Sequence, residues 1–309
     1  MTPRKHLQAA PHAQAYGELE RVDDFRSRLL GGRRRLIVYL PPGYRDDSSR
    51  RHPVLYMQDG QNLFDGRTSF VPGQHWHLNE TADNLARDNS IEAPIIVGVY
   101  NACERRIEEY TPTRDPNFKV GGGADLYGRA LAEELKPFID ARYRTKPGRE
   151  HTGVGGSSLG GLVSLHLGLR RADVFGRVVA MSPSLWWDNC RLLRDLDRLF
   201  TTPPVKVWLD GGTSEGSNTD CNAEAARDAL VARGMRSGSE VEFMRVEGGR
   251  HSEQDWAHRV HHALRFAYAP DAGQEPRVVR AAPTVPAGRR QKITGSLRAA
   301  LAELRRRAG

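Results

Sequence analysis

HTGVGGSSLGG, residues His151–Gly161, is the stretch whose reading decides the fold. It starts as a short β-like run, turns sharply through glycines and opens a helix. Within it, Gly156-Ser157-Ser158-Leu159-Gly160 forms a G-x-S-x-G pattern. A serine at the apex of such a strand-to-helix turn is held in a strained conformation, with its hydroxyl projecting above a sheet. Larger residues around it would clash with the neighbouring strand and helix. Gly155, Gly156, Gly160 and Gly161 supply the room. A phosphate-binding loop would need G-x-x-x-x-G-K or G-x-G-x-x-G, and neither is present. Ser158 is therefore read as a nucleophile.

Outward from this turn, short apolar runs recur on both sides. They are RRRLIVYL (Arg33–Leu40), PVLYMQDG (Pro53–Gly60), PIIVGVY (Pro94–Tyr100), GRVVAMSP (Gly176–Pro183), VKVWLDGG (Val205–Gly212) and EVEFMRVEGG (Glu240–Gly249). Such runs suit strands buried on both faces of a parallel sheet. Helical spacing separates them, over about Trp76–Asp88, Asp125–Tyr143 with Asp125 as N-cap, Ala223–Ala232 and Asp255–Tyr268. Strand and helix alternate, which predicts an α/β domain with a mostly parallel central sheet and helices on both faces.

The composition of the 309 residues, 39% hydrophobic and 27% charged, is that of an ordinary globular protein, and it excludes fibrous and wholly disordered chains. No apolar run reaches the roughly 18 residues of a membrane span. The first residues lack the apolar core of a secretory signal, so a cytoplasmic location is expected. The net charge of +8 invites a nucleic-acid reading. Residues 271–309 hold nine Lys/Arg and three Asp/Glu, hence +6 of that total, so the body is nearly neutral and no nucleic-acid partner is expected. The organisation read from these shifts is a loose leader (1–16), a catalytic domain (17–268) and a basic Pro/Ala/Arg-rich tail (269–309). A short helix over Gly295–Arg307 would carry Leu297, Leu301 and Leu304 on one face, and homo-oligomerisation through this tail is one expectation. Cys103, Cys190 and Cys221 form no paired spacing, so neither a disulfide framework nor a structural zinc site is expected.

A serine hydroxyl needs a base, and the base needs an orienting carboxylate. In this architecture they follow in the order serine, acid, histidine, each in a loop after a strand. His251 fits the base position, because Gly248 and Gly249 let its loop turn back towards Ser158. His151, His166, His258, His261 and His262 fit less well, lying before the elbow strand or within helices. For the acid, Asp210, Glu215 and Asp220 all follow VKVWL, and spacing hardly separates the last two. The oxyanion hole needs two backbone N–H groups. Leu159 supplies one, and Gln61, after the Asp59-Gly60 turn, is the natural second donor. His75-x-His77 suggests a metal, yet no third ligand stands at suitable spacing, so neither metal nor other cofactor is expected.

VYLPPGY, LYMQDGQNLF, EELKPFIDARYRT, GGSSLGGL, SPSLWW, LDGGTSE and EGGRH occur in an order that resembles the putative-esterase family of α/β-hydrolases. That family includes enterochelin-esterase-like proteins, feruloyl and acetylxylan esterases of the first carbohydrate-esterase family, and mycolyl-transferring relatives. The resemblance covers about Arg33–Tyr268. It implies the α/β-hydrolase fold and the acid at Glu215, from a GT-x-D loop matched by Gly212-Thr213-Ser214-Glu215, with Asp220 in reserve. It also places the second oxyanion donor at Gln61. Trp186 and Trp187 are expected beside the acyl or alcohol pocket, one of them as core. Arg106, Glu109, Tyr110 and Arg114 are expected on a loop over the site, facing polar substrate groups. The activity implied is that of a serine carboxylic-ester hydrolase acting on a small-molecule aryl, siderophore-type or short-chain acyl ester. The alternatives are an acyltransferase on the same triad and a non-catalytic scaffold.

Overall fold

The computed structural model describes residues 16–199 and 201–270. The readings of the tail, and of all but the end of the leader, fall outside them. Eight strands form one sheet: β1 (Glu18–Val22), β2 (Leu36–Leu40), β3 (Val54–Gln58), β4 (Ile95–Val99), β5 (Thr152–Ser157), β6 (Arg177–Met181), β7 (Lys206–Gly212) and β8 (Val241–Val246). Their order across the sheet is β1-β2-β4-β3-β5-β6-β7-β8. Strands β3 to β8 run parallel, and β2 is antiparallel to both β1 and β4. The mostly parallel sheet read from the sequence is the one observed.

Alternation along the strands divides the core into two layers. Val54 and Tyr56 of β3 join the layer beneath helices α3 (Ala124–Ala130), α5 (Leu159–Arg170) and α7 (Thr219–Ala232). Leu55 and Met57 join the opposite layer, under α1 (Leu78–Arg87) and α8 (Glu253–Tyr268). Both faces are covered, which is why β2 to β4 read as nearly continuous apolar runs.

Several boundaries differ from the sequence reading, each for a local reason. The predicted helix over Asp125–Tyr143 is interrupted. Between α3 and α4 (Lys136–Arg142) lies a π-helical turn, Leu131–Leu135. Asp125 is not the N-cap, a place taken by Gly123; its carboxylate instead meets His166 Nε2 at 2.7 Å. The stretch ELERV does not show an apolar face in sequence, because its half-buried positions are the charged Glu18 and Glu20 while Leu19 and Arg21 are exposed, as suits an edge strand. The last helix starts two residues early, at Glu253, because the Ser252 side chain caps it by accepting from Asp255 N. Two further helices are α2 (Arg106–Tyr110), in the segment read as a loop over the site, and α6 (Trp187–Leu196), in a segment the sequence reading left unassigned.

Register places the site. Across the middle of the sheet Ser157 pairs with Met181, and Met181 with Asp210. The residues just beyond β5, β6 and β7 therefore emerge side by side at the carboxyl edge, where ligands bind in open α/β sheets.

Candidate active site

Ser158 sits between β5 and α5 with φ 58° and ψ −124°, a conformation that a non-glycine residue adopts only under constraint. The constraint is visible. Ser158 N donates to Met181 O at 3.1 Å, while Ser158 O accepts from Leu162 N and from Ser184 N, each at 3.0 Å. The flanking glycines are required by space. A Cβ on Gly156 would lie 2.9 Å from Gln58 Cβ, and one on Gly160 would lie 3.0 Å from the same atom. The elbow is thus packed directly on the end of β3. Ser158 Oγ lies 3.2 Å from Ser184 Oγ.

His251 and Glu215 meet as the sequence order requires. His251 Nδ1 lies 2.9 Å from Glu215 Oε2, and the imidazole stands edge-on to Trp256 with ring centroids 4.9 Å apart. The Glu215 side chain is fully buried. Its other oxygen, Oε1, accepts from Gly212 N at 2.8 Å, Ser182 Oγ at 2.7 Å and Arg259 at 2.9 Å. Burial works against ionisation of this carboxyl. The bond from His251, the charge of that ring, the Ser182 hydroxyl and Arg259 outweigh it, and the carboxyl is held below the usual glutamate range. Asp220 is elsewhere: it opens α7 and pairs with Arg245 at 3.4 Å. Asp210 points into the protein, where Arg259 and Trp208 Nε1 bind it. Burial raises its pKa, against the attraction of Arg259.

The turn after β3 is fixed just as firmly. Asp59 adopts a left-handed conformation, φ 56°, and leads into a short 3-10 turn, Gly60–Asn62. Asn62 N and Leu63 N bond back to Asp59 O and Gly60 O, so Gly60 and Gln61 precede that ladder. Leu159 holds the equivalent place as first residue of α5. Arg106 grips the Asp59 carboxylate with two bonds, of 2.8 and 2.7 Å, and Asn101 Nδ2 adds a third at 2.7 Å. Asn101 N also donates to Gln61 Oε1 at 3.3 Å.

A cavity of about 40 Å³ opens between these groups, lined by Gln61, Asn101, Arg106, Ser158 and His251 together with Asn62, Phe70, Glu253 and Trp256. The remaining predicted contacts are placed differently. Tyr110 is wholly buried, and its hydroxyl accepts from Asp59 N. Glu109 is buried against Arg34 at 2.8 Å. Trp187 is buried, with Nε1 donating to Thr113 O at 2.9 Å, and Trp186 packs against the same core. Neither tryptophan lines the cavity: the apolar layer over β6 takes both. Arg106 does line it, but its fork is occupied by Asp59. Phe70, Asn101 and Ser182 were missed from sequence. Asn101 and Ser182 had one signal, their place just past the ends of strands.

Comparison with known proteins bears on the family and the fold. A family model described as "Putative esterase" matches residues 27–267. The chain is 28% identical over 242 residues to the ferri-bacillibactin esterase BesA of Bacillus subtilis, covering 71% of this chain and 80% of that one. It is 26% identical over 185 residues to a siderophore enterobactin esterase of Emericella nidulans, covering 55% of this chain and 60% of that relative's length. Among solved structures, a ferulic acid esterase superposes with a TM-score of 0.65 at 19% identity, covering 83% of this chain and 99% of the other. The eight-stranded sheet, the elbow at its centre and the match over nearly the whole described body lead to one conclusion: the chain belongs to the putative-esterase family, and it is an esterase of the α/β-hydrolase fold.

Proposed function

We propose that the protein is a serine carboxylesterase working through Ser158, His251 and Glu215. The observation that carries this reading is the pairing of His251 Nδ1 with a buried, ionised Glu215 in the loop facing the strained serine. Glu215 accepts a hydrogen bond from the His251 Nδ1–H and so fixes the tautomer, leaving Nε2 as the base. Nε2 takes the Ser158 proton as Oγ attacks the ester carbonyl. The Gln61 and Leu159 amides receive the developing oxyanion. His251 then protonates the departing alcohol. Water repeats the sequence on the acyl-enzyme, releasing the acid and restoring the serine. Glu215 stabilises the imidazolium at both stages without taking its proton.

The substrate is a small-molecule ester. Bacillibactin- and enterobactin-directed relatives, together with a ferulic acid esterase of the same fold, point to an ester with an aryl acyl group. Phe70, 38% exposed, offers an aromatic face at the cavity. The test compares wild type with Ser158→Ala on 4-nitrophenyl esters from C2 to C12, feruloyl methyl ester and a catecholate trilactone. Turnover by wild type that falls on the order of 10⁴-fold in the variant supports the triad. A variant that retains turnover, or a wild type inert on every ester, overturns the reading.

A further inference from the structure

Between the oxyanion turn and α1, the chain runs past the site as a short extended segment. Trp76 N donates to Asn62 O at 3.0 Å and Leu78 N to Leu63 O at 3.1 Å, which pins the segment against the turn. Trp76 points inward, buried, and its ring lies 5.7 Å from that of Trp256. The left-handed backbone at His77, φ 48°, brings its ring beside that of His75. Their ring centroids are 3.8 Å apart.

The spacing of these two histidines promised only two ligands. The fold supplies a third. His77 is the N-cap of α1, so Glu80 is the third residue of that helix, where a side chain reaches back over the cap. Glu80 Oε1 lies 3.1 Å from His77 Nδ1. One ligand atom from each of His75, His77 and Glu80 falls within 4.8 Å of the other two. Separately, His75 Nδ1 is buried and has no hydrogen-bond partner among the described residues, a cost that a bound cation or a shared proton would remove. Two imidazoles and a carboxylate, with solvent at the open side, form a donor set suited to Zn²⁺ with one exchangeable position.

We propose that His75, His77 and Glu80 form a divalent-metal site of the Zn²⁺ class, separate from the Ser158 centre. Its metal ties the segment that carries Trp76 to the start of α1. Through the Trp76–Trp256 contact it braces the wall against which His251 stands.

The test is equilibrium dialysis of the full chain against Zn²⁺ alone, with thermal melts in parallel. His77→Asn suits the left-handed backbone at this position, φ 48°, and Asn is a poor zinc ligand. Glu80→Gln removes the anionic donor. His258→Ala/His262→Ala removes an exposed histidine pair on α8 and serves as the control. The expected result is one equivalent of Zn²⁺ per wild-type chain with a rise in Tm. Binding weakens at least tenfold in His77→Asn and in Glu80→Gln, and persists in the control; the metal-free Tm of His77→Asn matches wild type. The proposal is overturned if wild type shows no saturable binding, if His77→Asn or Glu80→Gln keeps the equivalent, or if the control loses it.

Discussion

Arg259 and His251 share one carboxylate: Arg259 donates to Glu215 Oε1 at 2.9 Å, and His251 takes Oε2 at the same distance. Arg259 also meets Asp210 at 3.1 Å, so a single buried guanidinium neutralises two buried carboxylates. It fixes the rotamer of Glu215 without touching any reacting atom. Arg259→Met strands both carboxylates, and removing one partner from such a cluster costs roughly 3–5 kcal/mol. Urea unfolding is expected to show a loss of that size. Asp210→Asn placed on the same background should return part of it, because one stranded charge is gone.

Glu215 gives the pH dependence. Its folded pKa lies below that of an unfolded glutamate, so the stability it contributes is complete above the unfolded value, about 4.3, and is lost as the pH falls through the folded one. The difference in urea midpoint between wild type and Glu215→Gln should therefore shrink on acidification below that value. In turnover, Glu215 stays ionised wherever an imidazole titrates. The acid limb of log kcat/KM should fall with a slope of one, not two. Glu215→Gln lowers kcat by about 10³–10⁴, whereas Asp220→Asn stays near wild type.

Arg106, expected from sequence to face the substrate, is bound to Asp59 instead. If its work is to hold Asp59 and thereby aim the Gln61 amide, Arg106→Lys, which cannot keep the two-pronged grip, lowers kcat by roughly 10²-fold and leaves KM almost unchanged. A large rise in KM at constant kcat would instead mark a substrate contact. Steady-state kinetics on one soluble ester distinguishes them.

The elbow stores strain that glycine would release. Ser158→Gly is expected to abolish turnover while raising the unfolding free energy by roughly 1 kcal/mol, the relief at φ 58° less the entropy that glycine adds to the unfolded chain. Ser158→Ala abolishes turnover without that gain. A paired denaturation series checks both.

Much of this site was legible in the sequence because its parts are local. The elbow needs small residues within five positions, and the Gly212–Glu215 and Gly248–His251 turns each sit at the end of an apolar run. What was not legible depends on distant partners. Arg106 and Tyr110 look like loop residues facing a substrate until Asp59, more than forty positions away, is seen to accept from one and donate to the other. Trp187 reads as pocket or core equally well until Thr113 O claims its N–H. Arg259, in mid-helix, carries no pattern at all. The π-helical turn at Leu131–Leu135 is similar, since its apolar spacing is that of an ordinary helix.

The contacts of Gly156 and Gly160 with Gln58 Cβ bear on how such an enzyme changes its substrate. Around the elbow a single added methyl collides with the backbone or with β3, so selection for a new ester finds few tolerated steps there. Phe70 lines the cavity from a loop, where replacements alter shape without moving the sheet. Diversification confined to the loop positions around this residue would leave the chemistry intact and vary only what it accepts, which makes the wall, and not the catalytic rim, the place where new specificities arise.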